Sequence, residues 1–215
     1  MTTENPAYLR YKGRYPFLKF RRGVWREIVR YIRRETGEVS TVIELGAGYC
    51  DFINQFPAKK KIAFELNPEM ALFAAADVEL HIENAEFIGS LPISGADMVF
   101  ASNFLEHLNK AEHDRLMPNI YKTLKPGGRL ILIQPNYLRC AKHYFDDDTH
   151  QTIFSDENIG EFLESYGFRV SKLIPGFLPF SMKTRLPKLP ILTRLYLLSP
   201  IKPMAAQMYV AAERR

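Results

Sequence analysis

Short apolar runs alternate with amphipathic stretches along most of the chain. The runs are rich in β-branched and aromatic residues, which predicts β-strands. They lie at 41–45, 61–65, 78–82, 96–102, 129–134, 168–174 and 208–212. The run at 96–102 is continuously apolar, as expected of a strand that is buried on both faces.

The stretches between these runs predict helices. Val24, Ile28 and Ile32 recur at helical spacing among arginines and predict an amphipathic helix that ends near Gly37. Further helices are predicted after Asn67, over about 110–124, and over 156–166 with Ser155 as N-cap. Because strands and helices alternate, the sequence predicts an α/β fold with a doubly wound, mostly parallel, seven-stranded sheet.

The pattern also divides the chain into a core and added segments. Residues 1–39 form a predicted basic helical arm, 40–174 the core, 175–204 an insertion, and 205–215 the last strand and tail. The insertion is apolar and basic and contains six prolines. Because an insertion of this length inside a compact domain is usually functional, we expect it to act as a lid.

Charge is segregated along the chain. Residues 1–39 carry ten Lys and Arg and four Glu, and residues 40–164 carry ten basic and nineteen acidic residues. Residues 165–212 carry seven basic residues and no acidic ones. Basic arms on an acidic body are typical of binding to nucleic acid or an anionic membrane surface. Arms that fold over the body and neutralise it would produce the same counts, so charge leaves both interpretations open.

Composition excludes several classes of protein. The two cysteines, Cys50 and Cys140, lack the spacing of a disulfide framework or a zinc site. The chain has no secretory signal pattern and no apolar run long enough to span a bilayer, so we expect a cytoplasmic location. Fifteen Phe and eleven Tyr supply core material and argue against disorder.

A glycine turn follows the first predicted strand, and a helix is predicted after it. Gly46 and Gly48 allow a ligand to approach the backbone there, and Glu44 comes just before the turn. A dinucleotide-binding loop would have a third glycine at position 51, where this chain has Asp51. Glu65 ends the second strand, where a carboxylate can accept hydrogen bonds from both hydroxyls of a ribose.

Four ordered segments then resemble the motifs of class I S-adenosylmethionine-dependent methyltransferases. They are VIELGAG, FELNPE, DMVFASNFLEHL and LKPGGRLIL, and the resemblance covers about residues 40–172. It implies a Rossmann-like methyltransferase fold with S-adenosylmethionine as cofactor. The implied cofactor contacts are Gly46 and Gly48 at the methionine part, Glu65 at the ribose, Asn84 and Ala85 at the adenine, and also Glu44 and Asn103.

Two of these assignments rest on weaker signals. Asn84 stands where the family often has Asp, although an amide oxygen can still accept a hydrogen bond from the adenine amino group. Arg14, in the basic arm, is assigned to the methionine carboxylate as a charge-assisted contact, and a solvated arm is the alternative.

The segment 146–155 resembles ubiquinone-type O-methyltransferases and methyltransferases of bacterial polysaccharide gene clusters. The resemblance implies His150 as the general base, because an imidazole readily takes a proton from a hydroxyl. A helix cap or a bond to a loop carbonyl is the alternative for His150, and a structural role is the alternative for His107, the second catalytic candidate. The acidic run 146–148 is read as a solvated loop, and no metal is assigned.

The predicted function is methyl transfer, as O-methylation of a small-molecule, sugar or lipid-linked acceptor. No Asn/Asp-Pro-Pro-aromatic motif follows the fourth strand, which disfavours methylation of base amines and nucleic acid as a partner. An RNA-directed methyltransferase and a non-catalytic S-adenosylmethionine-binding protein remain alternatives. The lid at 175–204 is expected either to cover the acceptor pocket or to make peripheral contact with the membrane.

Overall fold

The computed structural model describes residues 18–92, 95–180 and 189–215, apart from the side chains of Leu18 and Lys19. Arg14 therefore lies outside the described residues, as does the middle of the predicted lid. Within the described chain no helix is long and apolar enough to cross a membrane.

One sheet of seven strands forms the centre of the described chain. The strands are β1 (Thr41–Leu45), β2 (Lys60–Phe64), β3 (Val78–His81), β4 (Ala96–Ser102), β5 (Leu124–Pro135), β6 (Phe168–Pro179) and β7 (Ala205–Arg214). Their order is β3-β2-β1-β4-β5-β7-β6. Strands β1 to β5 pair in parallel, and β7 pairs antiparallel with both β5 and β6. The predicted α/β class and mostly parallel sheet are confirmed.

Helices cover the sheet and connect its strands. The α-helices of the described residues are α1 (Leu18–Thr36), α2 (Lys110–Thr123), α3 (Tyr137–Tyr144), α4 (Ile159–Ser165) and α5 (Pro190–Leu198). Short 3-10 helices occupy Pro68–Phe73, Ala85–Ser90 and Leu105–His107. The predicted helix at 110–124 is thus confirmed, and a reciprocal capping box between Asn109 and Glu112 begins it.

Two apolar clusters lie on opposite faces of the sheet. Successive strand residues point to opposite faces, and Val99 joins one cluster while Phe100 joins the other. Helices α2 and α4 cover the first face, and α1 and α5 cover the second. The continuous apolar run of β4 therefore reflects a strand covered on both sides, as the sequence predicted.

Several local predictions differ from the structure. Residues 49–55 form a series of turns rather than the helix expected after the glycine turn. The helix predicted from 156 begins at Ile159, because Ser155 and Asn158 bond to each other in a turn: the Ser155 amide donates to Asn158 Oδ1 over 2.8 Å. Strand β5 begins five residues before its predicted start. Strands β6 and β7 are both longer than their apolar runs, because they pair with each other in antiparallel fashion beyond those runs.

The core on the α1 face supplies a test of the packing. Phe100 is fully buried and stacks on Phe52 with ring centroids 3.8 Å apart. We expect Phe100→Ala to lower the free energy of unfolding by about 3–5 kcal/mol, because the truncation leaves a cavity between covered layers. Phe87→Ala, at a ring that is 54% exposed, is the control and should change stability by about 0.5 kcal/mol or less. Urea denaturation measures both, and equal losses would contradict the layer assignment.

Candidate functional site

The candidate site lies at the carboxyl edge of the parallel strands. The chain runs outward from β1 to β2 and β3, and then returns to place β4 on the other side of β1. Ligands of open α/β sheets bind at such a reversal of strand order. The segments after β1, β2 and β4 contain most of the residues that the sequence assigned.

The glycine turn and Glu65 are brought together at this edge. The Gly48 amide donates to Glu65 Oε2 over 2.8 Å, and the Asn67 amide donates to Oε1 over 2.9 Å. The carboxylate is half-buried and held in place by two backbone donors. The sequence analysis assigned the glycine turn and the carboxylate after β2 to one site, and in the structure they are in direct contact.

The turn itself has a tightly constrained backbone. Gly46, Gly48 and Cys50 all have positive φ angles, of 66°, 50° and 55°. A Cβ atom on Gly46 would lie 2.6 Å from the Phe104 ring, which approaches from the segment after β4. Glycine at 46 is therefore required both by the left-handed backbone and by the close contact with Phe104.

Glu44 lies inside this loop, where it is buried. Its Oε2 accepts a hydrogen bond from the Ile53 amide over 3.0 Å. Burial raises the pKa of Glu44 well above its usual value, and the bond from Ile53 offsets part of this effect. The structure thus places Glu44 as a support for the turns at 46–53, with little surface that a ligand can reach.

A second buried carboxylate in the loop connects it to the basic arm. Arg21 of α1 donates from Nε to Asp51 Oδ2 over 2.8 Å, and both side chains are buried. Burial raises the pKa of Asp51, and the charge of Arg21 opposes the rise. Sequence reasoning missed this pair, since Asp51 was noted only as a departure from a dinucleotide motif. At this point the arm folds over the acidic body.

Asn84 and Ala85 follow β3, farther along the same edge. Asn84 is exposed and caps the short helix Ala85–Ser90 by accepting from the Glu86 amide over 2.9 Å. Ala85 is buried in the core. Each amide oxygen has two acceptor sites, so the cap leaves Asn84 able to accept a second hydrogen bond.

Asn103 marks the end of β4. It has a positive φ of 48°, and its amide donates to the Ile133 carbonyl over 2.8 Å. Its Oδ1 accepts from Gln207 Nε2 over 2.8 Å. Gln207 belongs to β7, and the sequence contained no signal that would have paired it with Asn103. These bonds orient the segment that leads into Leu105–His107.

The two catalytic candidates, His107 and His150, lie next to each other. Their ring centroids are 4.8 Å apart, and the His150 ring also packs against Tyr144 at 4.6 Å. His107 Nδ1 lies 2.9 Å from Thr149 Oγ1. Asn158 occupies the N-cap position of helix α4 and makes no side-chain cap bond, so His150 is not the residue that begins that helix.

Backbone bonds hold these two segments together. The amides of Gln151 and Thr152 both donate to the Glu106 carbonyl, over 2.8 and 3.1 Å. Side chains of the same two residues donate to the carbonyls of His107 and Leu108, each over 2.6 Å. The segment that contains Thr149 and His150 and the end of β4 are therefore fixed relative to each other, although they are more than forty residues apart in the chain.

Glu106 is the functional candidate that sequence reasoning missed. Its side chain is 0% exposed, and neither carboxylate oxygen makes a hydrogen bond with any residue that the structure describes. Burial raises the pKa of Glu106 to about 8; the amides of Glu106 and Phe104 lower it in part without reaching hydrogen-bond geometry, and the charge of Asp147 raises it further. The only sequence signal was its position beside His107 after β4.

The acidic run 146–148 serves mainly as turn acceptors. Asp147 Oδ1 accepts from the hydroxyl and the amide of Thr149, over 2.5 and 3.2 Å. Asp146 pairs with His143 over 2.8 Å. Among the described residues, the side chains that converge as metal ligands would are Glu106, His107 and His150, and this set does not include the run.

Comparison with solved structures identifies the fold. An S-adenosylmethionine-dependent methyltransferase from Archaeoglobus fulgidus is 20% identical with a TM-score of 0.68, over 97% of this chain and 100% of that one. Another S-adenosylmethionine-dependent methyltransferase, from Thermotoga maritima and described as a possible histamine N-methyltransferase, is 18% identical with a TM-score of 0.70, over 97% of both chains. The N-methyltransferase NodS of Bradyrhizobium japonicum, in complex with S-adenosyl-L-homocysteine, is 13% identical with a TM-score of 0.60, over 88% of this chain and 85% of that one.

Comparison at the level of sequence identifies the family. No curated protein is similar enough in sequence to count as a relative. The sequence profile of the methyltransferase domain family, however, matches residues 17–173, which is most of the chain and includes the whole edge described above. The chain therefore belongs to the methyltransferase domain family, and its fold is that of the S-adenosylmethionine-dependent methyltransferases named above.

Proposed function

We propose that the protein methylates a hydroxyl group on a small-molecule, sugar or lipid-linked acceptor. The observation that carries the proposal is the position of two groups of residues at one sheet edge. The glycine turn with Glu65 follows β1 and β2, and the cluster of Glu106, His107 and His150 follows β4. Because β1 and β4 are neighbours, cofactor and acceptor would meet between these two groups.

The cofactor side has the donors and acceptors that S-adenosylmethionine requires. Gly46 and Gly48 allow its methionine part to approach the backbone, and Glu65 accepts from the ribose hydroxyls. A carboxylate has about four acceptor sites, so the two backbone bonds to Glu65 orient it without exhausting it. The exposed Asn84 side chain would contact the adenine. When bound, the cofactor supplies a methyl group on an activated sulfonium.

The acceptor side supplies orientation and removal of the hydroxyl proton. His150 packs between His107 and Tyr144, and the backbone bonds of Gln151 and Thr152 fix its segment against β4. A positioned group that takes up the proton contributes about 10²–10⁴-fold to the rate. This arrangement favours an oxygen acceptor, because an amine that is neutral when bound has less need of a base.

An amphiphilic acceptor is favoured by the exposed surface of α5. This short helix and the residues that flank it expose an apolar surface formed by Leu189, Ile191, Leu192, Leu195, Leu198 and Ile201. No acidic residue occurs between 165 and 212, and Arg194 is exposed on the same helix. An apolar surface with cationic neighbours suits a lipid-linked molecule or an anionic membrane interface.

The glycine turn yields a prediction about cofactor binding. Gly46→Ala should weaken binding of S-adenosylhomocysteine by about 10-fold or more, because the new methyl group would displace Phe104 and strain the turn. Gly37→Ala is the matched control, since Gly37 has a similar φ of 70° but no atom within 4 Å of the added carbon. Isothermal titration measures both variants. Equal losses of affinity would show that the turn does not bind the cofactor.

The acceptor cluster yields a prediction about turnover. His150→Ala should bind S-adenosylhomocysteine like the wild type, while the rate of methyl transfer falls by about 10²–10⁴-fold. The readout is the cofactor-dependent mass gain of one methyl group among cell metabolites incubated with the protein. His143→Ala, at an exposed histidine paired with Asp146, is the control and should keep full activity. Wild-type activity in His150→Ala would refute the assignment of His150.

The α5 surface yields a prediction about membranes. The wild type should float with vesicles that contain phosphatidylglycerol at low salt. Leu195→Glu should weaken this association by about 10-fold, because the variant lacks the apolar contact of Leu195 with the membrane. Leu72→Glu is the control, since Leu72 is a more exposed leucine elsewhere on the surface. Failure of the wild type to float would contradict the membrane contact of α5.

A further inference from the structure

We propose that Glu106, His107 and His150 bind a divalent transition-metal ion at the carboxyl end of β4. A catalytic task for this ion rests on the proposed O-methylation, whereas its binding does not. The inference departs from the sequence assignment, which placed no metal in the protein. Three observations support this site: the convergence of the ligand atoms, the burial of Glu106 without a hydrogen bond among the described residues, and the hydrogen bonds around His107.

The ligand atoms of the three side chains converge. One carboxylate oxygen and two imidazole nitrogens all lie within 4.8 Å of one another. Metal bonds of about 2.0–2.2 Å to such ligands place them about 3–3.5 Å apart around an ion. Small rotations of the side chains therefore suffice to close the set, while the backbone bonds that join Gln151 and Thr152 to Glu106 keep the two segments in register.

Glu106 is the independent observation that indicates a cation. It is completely buried, and its two carboxylate oxygens make no hydrogen bond within the described part of the chain. Buried polar groups are nearly always hydrogen-bonded, and ionising a buried carboxyl group that has no partner carries a large desolvation cost. A metal ion beside the two histidines would compensate this cost.

The bonds around His107 prepare it as a ligand. Thr149 has one hydroxyl proton, which it donates to Asp147 Oδ1 over 2.5 Å. Towards His107 the same hydroxyl must therefore accept, so the proton of the neutral imidazole lies on Nδ1. With the proton on Nδ1, the lone pair of the ring lies on Nε2, and a neutral histidine binds a metal through such a nitrogen. A chain of histidine, hydroxyl and carboxylate is a typical outer support of metal-bound histidine.

The ligand set selects the class of ion. Two imidazoles and one carboxylate suit Zn²⁺, Mn²⁺ or Fe²⁺, whereas Mg²⁺ and Ca²⁺ prefer oxygen ligands. Three protein ligands leave open positions, which is typical of catalytic rather than structural sites. The ligand set thus favours a first-row transition metal.

The ion would activate the acceptor in place of an imidazole base. An acceptor hydroxyl at an open position has its pKa lowered by the ion and releases its proton to water. Its oxygen then forms the bond to the methyl carbon as the carbon–sulfur bond of the cofactor breaks, and the sulfur keeps the electron pair. On this account the histidines hold the ion and do not themselves take the proton.

The test is a cobalt titration of the full chain after treatment with a chelator. One Co²⁺ per chain should bind and give visible d–d absorption, a readout that is independent of activity. Glu106→Gln, which preserves shape, and His150→Ala should each weaken binding by about 10-fold or more. His143→Ala is the control and should bind like the wild type. Absence of binding, or binding that survives both variants, overturns the proposal.

The titration is separable from the proposed function. Wild-type Co²⁺ binding is measured without any variant, so a misfolded mutant cannot obscure the result, and circular dichroism checks the fold of each variant. Metal binding without detectable methyl transfer supports the site while the proposed O-methylation fails. Full methyl transfer by the metal-free protein overturns the catalytic task of the ion and leaves His150 as the base.

Discussion

The parallel pairing of β1 with β4 is the constraint on which the rest of the structure depends. It aligns Val42 with Met98 and Leu45 with Ala101, so both strands end at the same level. The glycine turn after β1 and the segment after β4 therefore leave the same edge, and Phe104 packs against Gly46 across the gap. A slip of one residue would exchange the faces of a strand that is covered on both sides, so the packing of the two cores holds the register.

Three buried carboxylates surround this edge, and their partners distinguish their roles. Glu44 accepts from the Ile53 amide, and Asp51 pairs with Arg21, so both stabilise the turns that follow β1. Glu106 has the same desolvation and no such bond among the described residues. Because the desolvation of a carboxylate must be offset, the one whose desolvation the fold offsets least is the one suited to a ligand.

The segregated charge of the chain has two structural outcomes. Arg21 turns inward from α1 to Asp51 in the turns that follow β1, while Arg22, Arg26 and Arg33 on the same helix stay exposed. The same helix therefore folds over the acidic body through Arg21 and presents a basic surface through its exposed arginines. On the neighbouring α5 the exposed side chains are mostly aliphatic.

The sequence by itself determined the strands of the sheet, the glycine turn and the carboxylate after β2. These are local signals, since apolar runs, positive-φ glycines and strand ends depend on neighbouring residues. The tertiary structure alone decided the length of β6 and β7, the turns in place of a helix after Gly48, and the bond of Asn103 to Gln207. It also brought Glu106 and His107 to His150. Each of these depends on which distant segments pair, and pairing follows from the register of the sheet and the burial of both faces, which no local pattern specifies.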